Sequence, residues 1–297
     1  MSTILEIKGL TKRFGRLTAV NQLDLTIEKG SVFGMLGPNG SGKTTTLGML
    51  LGVTTPTAGS FSWFGNGHSH EMRKNIGAIL EQPVFYPYMT GEQNLDLVCQ
   101  IKGAEKTRIA EVLETVGLSG RGKDKFKGYS LGMKQRLAIA AALINDPHVL
   151  VLDEPTNGLD PQGIFDIREL IRDIATTGKT IILASHLLDE VQKVCTEFCV
   201  LQTGNLIYKG SVEEDFADST TIELVADDLS KLKTVLGGIS GITEVEEKDG
   251  TILVRGEKDL TSLTVNKVLV EKGIVLTHLR TLKKSLEEQF MEILKES

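Results

Sequence analysis

Gly37-Pro38-Asn39-Gly40-Ser41-Gly42-Lys43-Thr44 is the stretch on which the fold turns. It fits the phosphate-binding pattern G-x-x-x-x-G-K-[ST]. Glycine accepts a positive φ and has no Cβ to block a phosphate, so this backbone can wrap closely. Its N–H groups then converge into an anion nest. Lys43 supplies a point charge for the outer phosphates, and the Thr44 hydroxyl suits Mg2+. The flanks agree with the motif. Ser31 to Leu36 reads as a short buried strand, and Thr45 to Leu51 as the start of a helix with Gly52 as its C-cap. A helix starting there aims unpaired N–H groups at the phosphate. A chance glycine-rich turn would lack both flanks.

A second element supplies carboxylates. Val149-Leu150-Val151-Leu152 is an unbroken apolar run, the pattern of a strand buried on both faces, and Asp153-Glu154-Pro155 closes it. Parallel sheets bind ligands at that end of their strands. Asp153 suits the Mg2+ shell, and Glu154 suits orienting an attacking water and accepting its proton. Two structural acids so placed would repel each other without a cation. The apolar run Thr180 to Ala184 predicts a neighbouring strand, which puts His186 on the edge of Glu154 and in reach of a γ-phosphate. Gln82 follows the strand Ile76 to Leu80, again at a strand end. Phe14, in a loop Lys12–Gly15, is read as an adenine-stacking ring rather than a core residue.

Around these lie more ordinary segments. Ile4 to Ile7 and the alternating Leu23, Leu25 and Ile27 predict strands, and Gly59 to Gly65 another. Glu92 to Ile101, Thr107 to Val116 and Leu131 to Ile144 predict helices, a helical insertion of about residues 84–146 in an α/β domain. The basic run Arg121 to Lys127 reads as a solvated loop rather than a partner or lipid surface. Asp160 and Pro161 open a helix with the stripe Ile164, Ile167, Ile171 and Ile174. Phe198 to Leu201 and Leu206 to Tyr208 form a hairpin. The composition shifts near Glu213. Thr220 to Val225, Ile252 to Val254 and Ile274 to Thr277 predict strands, with helices at Leu229 to Leu236, Leu260 to Glu271 and Ser285 to Leu294. The expected domains are therefore 1–215 and a small α+β unit, 216–297.

Composition narrows the function classes. The 297 residues are 40% hydrophobic and 24% charged, enough for a full core. A net charge of -6 argues against nucleic acid as the main partner. No apolar run reaches the roughly 20 residues of a membrane span, and no signal peptide is read at the start, so the expected location is cytoplasmic. Cys99, Cys195 and Cys199 are expected as reduced, buried thiols, and His68 and His70 as part of a solvated turn.

Taken in order, these motifs resemble those of ABC transporter ATP-binding subunits over about residues 4–215. Gly37–Thr44 resembles the Walker A loop, Gln82 the Q-loop glutamine and Val149–Glu154 Walker B. Asn157-Gly158-Leu159-Asp160 resembles the D-loop, His186 the switch histidine and Phe14 the adenine-stacking aromatic. Tyr129-Ser130-Leu131-Gly132-Met133-Lys134-Gln135-Arg136 resembles the signature motif but departs from L-S-G-G-Q at Tyr129, Leu131 and Met133. Ser130 and Gly132 remain, a hydroxyl and a small residue at a helix start. The resemblance implies a P-loop core with an antiparallel β subdomain. It implies ATP held by the residues from Gly37 through Thr45, and Mg2+ on Thr44, Gln82 and Asp153. It also implies an ATP-dependent homodimer, or a heterodimer, in which Ser130, Gly132 and Asp160 act across the interface. A transmembrane permease subunit would be the partner, with the chain peripheral on the inner face of the cell membrane. The signature and the ending Ser285-Leu286-Glu287-Glu288-Gln289-Phe290 look most like bacterial drug and peptide-antibiotic exporters of the bacitracin-resistance type. The competing expectations are a soluble ABC ATPase acting on nucleic acid or ribosomes, and a weak-ATPase regulatory subunit.

Overall fold

A computed structural model describes residues 2–65, 70–80, 84–215, 220–248, 250–256 and 260–282. The chain divides into two compact units, Met1–Val212 and Glu213–Glu296.

The first unit begins with a hairpin, β1 (Thr3–Phe14) and β2 (Leu17–Glu28). Alternate residues Leu23, Leu25 and Ile27 are buried, as the sequence period predicts. β1 is longer than expected: Lys12, Arg13 and Phe14 pair with Val20, Thr18 and Leu17, so they are strand rather than loop. The turn is only Gly15-Arg16, with Gly15 at φ 58, where glycine is unstrained. β3 (Val32–Leu36) follows, then α1 (Lys43–Leu50) and β4 (Ala58–Trp63), which pairs with β1. After the short α2 (His70–Arg73) come β5 (Ile76–Ile79), α3 (Gly91–Lys102), α4 (Arg108–Thr115) and α5 (Leu131–Leu143). β6 (Val149–Asp153), α6 (Pro161–Thr176), β7 (Thr180–Ser185), α7 (Leu188–Val194), β8 (Glu197–Gln202) and β9 (Asn205–Ser211) complete the unit, and α8 (Val212–Asp215) follows.

Two sheets result. One is antiparallel, in the order β2-β1-β4; the other has six strands, in the order β5-β6-β7-β3-β8-β9. The second is parallel except for β9. β3, β6 and β7 are buried along their whole length, which explains their continuous apolar runs. β3 lies at the centre, so the loop after it opens onto the carboxyl edge shared with β6 and β7. The three cysteines are free and buried, and burial pushes the Cys199 thiol up to about 12.

The second unit is α+β. It runs β10 (Thr220–Ala226), α9 (Leu229–Leu236), β11 (Ile242–Lys248), β12 (Thr251–Gly256), α10 (Ser262–Glu271) and β13 (Leu276–Leu282). The sheet order β11-β12-β10-β13 with antiparallel pairing is the ferredoxin-like split βαβ arrangement. Ile222, Leu224, Ile252 and Val254 of the central strands pack with Leu232, Leu236, Val265 and Leu269 of the helices. β11 was not predicted. Its sequence, ITEVEEK, has no buried residue, because an edge strand of this sheet can satisfy its backbone without an apolar face. The expected helix Ser285–Leu294 lies outside the described residues.

Candidate functional site

The phosphate loop is anchored by main-chain contacts from the six-stranded sheet. Gly37 N–H donates to Ser185 O at 3.3 Å, and Gly204 N–H, in the β8–β9 turn, donates to Ser41 O at 3.0 Å. Two glycines are required by neighbouring protein atoms rather than by a ligand. A Cβ on Gly37 would meet Leu201 O at 2.2 Å, and one on Gly42, already at φ 106, would meet Ala19 O at 2.6 Å. At Gly40, φ is 80 and the space around it is open. Gly42 is the N-cap of α1, so the first N–H groups of that helix face the loop. Ser41 Oγ is buried without a hydrogen-bond partner among the described residues.

The loop borders a cavity of about 300 Å³ lined by Asn39 through Thr45, Glu154, Phe14, Leu17, Thr18, Ala19 and Thr203. Phe14 is 52% exposed, which removes the core-packing alternative. Lys12 Nζ stands 4.9 Å from the centroid of its ring. Lys43 is buried and folds back on its own loop. Its ammonium donates to Gly37 O at 2.6 Å and Pro38 O at 3.3 Å, and lies 3.4 Å from Glu154 Oε1.

The two acids at the end of β6 have different surroundings. Asp153 continues the strand and is buried. Glu154 turns out of it at φ 48, a costly conformation for a non-glycine residue, of order 1–3 kcal/mol. Its N–H donates to Ala184 O at 2.9 Å, which fixes the turn against β7. Glu154 Oε2 lies 2.7 Å from His186 Nδ1. Lys43 and His186 thus both face Glu154, one at each carboxylate oxygen.

Ser130, Gly132 and Asp160 do not line this cavity. Ser130 is the N-cap of α5, accepting from Met133 N–H at 3.2 Å, and Asp160 caps α6 by accepting from Gly163 N–H at 2.9 Å. Two of the three departures in the signature, Tyr129 and Leu131, have local reasons. Tyr129 is buried and its hydroxyl donates to Arg121 O at 2.7 Å, fixing the segment that precedes α5. Leu131 lies over Gly158, where a Cβ would meet its Cδ2 at 3.3 Å. Gln82 lies outside the described residues, as does His68.

Sequence reasoning missed Leu17, Thr18, Ala19 and Thr203. The first three reach the cavity because β1 and β2 extend to the Gly15-Arg16 turn, and Thr203 does so through the β8–β9 turn, distant in sequence. It also missed Glu190 on α7. Glu190 is buried and accepts hydrogen bonds from Thr156 Oγ1 and Ser185 Oγ. Burial pushes its carboxyl above the ordinary value of 4.5, against the pull of the Ser185 hydrogen bond and of Arg168.

A glycine-rich loop between a central parallel strand and a helix, with carboxylates at the end of β6, one strand removed in the same sheet, defines a P-loop nucleoside triphosphatase. Residues 20–157 match the ABC transporter family model. The chain is 33% identical to the bacitracin transport ATP-binding protein BcrA of Enterococcus faecalis, over 99% of this chain and 97% of that one. It is 38% identical to the Nod factor export ATP-binding protein I of Ralstonia nicotianae, over 80% of this chain and 77% of that one. A dimeric ATP-binding cassette in a post-hydrolysis state bound to ADP and Pi superposes with a TM-score of 0.64 at 26% identity, covering 70% of this chain and 99% of that one. The chain belongs to the ABC transporter ATP-binding proteins. It is an ATP-binding and ATP-hydrolysing subunit.

Proposed function

We propose that this subunit drives export of a drug, peptide or lipid-like substrate through a separate transmembrane permease, from the inner face of the cell membrane. The observation that carries the catalytic part is the Glu154 carboxylate, 2.7 Å from His186 and 3.4 Å from Lys43 beside the phosphate-loop cavity. Lys43 exchanges the Gly37 and Pro38 carbonyls for nucleotide phosphate. Asn39 through Thr45 cradle the phosphates, Ser41 Oγ gains its missing partner, and Phe14 stacks on adenine. Glu154 orients a water and accepts its proton, while His186 steadies the carboxylate and contacts the γ-phosphate.

Thr44, Asp153 and Gln82 are the residues that would hold Mg2+. They are oxygen donors, which suits an ion that keeps water and phosphate oxygens as most of its ligands. When bound, the ion neutralises phosphate charge during transfer. Residues 1–215 act as the ATP-binding domain and 216–297 as an accessory domain.

Two copies close on ATP head to tail. Ser130 and Gly132 at the start of α5 reach the partner's nucleotide, and Asp160 links the two sites. The dimeric cassette among its structural neighbours supports this assembly. The Nod factor export relative supports the export direction, and the bacitracin transport relative supports a transported antibiotic. Val84, Tyr86 and Tyr88 are exposed at the entry to the helical insertion, a patch suited to a protein partner. No helix among the described residues is long and apolar enough to cross a membrane.

Light scattering of Glu154→Gln tests the assembly: the variant retains ATP binding without hydrolysis, so a monomer becomes a dimer with ATP. A monomer throughout refutes the homodimer, and normal turnover refutes the role of Glu154. Pull-down from native membranes recovers a polytopic protein if the partner is a permease.

A further inference from the structure

Glu190 is an ionisable side chain where packing alone asks for an apolar one. It is 1% exposed on the first turn of α7. Removing a carboxylate from water costs several kcal/mol, and an apolar residue of similar volume often serves stability as well or better. What the carboxylate provides is two acceptors aimed at two different strand exits. Oε1 accepts from Thr156 Oγ1, two residues beyond Glu154. Oε2 accepts from Ser185 Oγ at 2.5 Å, one residue before His186. Ser185 Oγ in turn accepts from Leu187 N–H at 3.0 Å, so the chain on both sides of His186 is held to the same group.

The backbone around Glu154 explains why such a tie is needed. Glu154 is held at φ 48, and its N–H donates to Ala184 O at 2.9 Å, which joins its turn to the β7 exit through the main chain. Strained conformations persist when the surroundings over-determine them. Thr156 is buried, and its carbonyl accepts from Leu159 N–H at 3.1 Å, which continues the constraint towards Asp160.

We propose that Glu190 is a positioning residue for ATP hydrolysis: through Thr156 and Ser185 it sets the β6 and β7 exits against each other and so holds Glu154 and His186 in register. This rests on the roles assigned above to Glu154 and His186. Removing the tie lowers kcat without weakening ATP binding, because the phosphate loop keeps the anchor from Gly204 N–H to Ser41 O, which Glu190 does not touch.

The test compares Glu190→Ala, Glu190→Gln, Thr156→Val and Glu154→Gln in the full-length chain, measuring steady-state ATPase and binding of a fluorescent ATP analogue. A misplacement of an ångström costs on the order of 100-fold, so Glu190→Ala loses about 10- to 100-fold in kcat with analogue affinity unchanged. Glu190→Gln keeps one carbonyl acceptor and rescues most of the rate. Thr156→Val, of nearly equal volume, shows a smaller loss, and adding it to Glu190→Ala costs nothing further, as members of one unit do. Wild-type kcat in Glu190→Ala while Glu154→Gln is inactive overturns this inference alone. Normal turnover by Glu154→Gln overturns the reading beneath it, and the inference with it. Equal loss of analogue binding and kcat in Glu190→Ala, with no rescue by Gln and no effect of Thr156→Val, means a packing role and also overturns it.

Discussion

Replacing Lys43 by alanine tests the phosphate loop most directly. The ammonium is 5% exposed and held by two carbonyls and Glu154. A phosphate oxygen at about 4 Å attracts it by about 4 kcal/mol at an effective dielectric constant near 20. Part of that gain is offset, because the contacts to Gly37, Pro38 and Glu154 loosen as the lysine turns to phosphate. Charge-assisted hydrogen bonds of this kind contribute about 1.5–3 kcal/mol, so the net contribution to binding is about 2 kcal/mol. ATP affinity measured with a fluorescent analogue then falls roughly 30-fold. Turnover suffers more, since charge on the transferring phosphoryl group is greatest in the transition state; the loss is on the order of 100-fold or greater. Affinity within about three-fold of wild type, or near-normal phosphate release, refutes the reasoning, since a difference that small is under 1 kcal/mol.

Other perturbations separate the parts of the site. Phe14→Ala removes the exposed ring, and with stacking worth about 1–3 kcal/mol the analogue binds about 5- to 150-fold more weakly with no change in thermal stability. Gly37→Ala acts differently: its Cβ at 2.2 Å from Leu201 O forces the loop away from β8, and calorimetry shows a lower melting temperature even without nucleotide. Glu190→Gln gives a stability change that depends on pH. The Glu190 carboxyl is raised by burial, so its contribution favours the folded state below the ordinary value of 4.5 and is lost as pH rises through the folded value. Glutamine does not titrate there. The melting temperature of the variant relative to wild type therefore rises between pH 4.5 and pH 7, and a difference independent of pH contradicts the assignment.

Much of the site was legible because each of its parts is local. The loop between β3 and α1 is eight consecutive residues, and Asp153 and Glu154 close an apolar run whose burial on both faces leaves no other place for them than a strand end. His186 followed from the same logic on β7. The parts not legible depend on register and on distant contacts. Lys12 to Phe14 belong to a strand only because of their partners on β2. Thr203 reaches the cavity because β8 is paired with β3, which no local pattern states. Glu190 reads as an ordinary acid in the first turn of a helix until its burial is seen. In the second unit, Ile242–Lys248 alternates too weakly to announce a strand, since only Ile242 and Val245 pack, in part, against the core and the other side chains are exposed.

The anchoring of the phosphate loop has one more consequence. Asn21 of β2 donates to Gly204 O at 2.8 Å, its side chain donates to Asn205 Oδ1 at 3.0 Å, and Gly204 N–H donates to Ser41 O at 3.0 Å. β2 carries one wall of the cavity, through Leu17, Thr18 and Ala19, while Ser41 belongs to the glycine-rich loop on another. The two ends of the cavity are thus riveted together through one turn and cannot adjust independently. A displacement of the β8–β9 turn therefore moves the β2 wall and the phosphate cradle together, as one body.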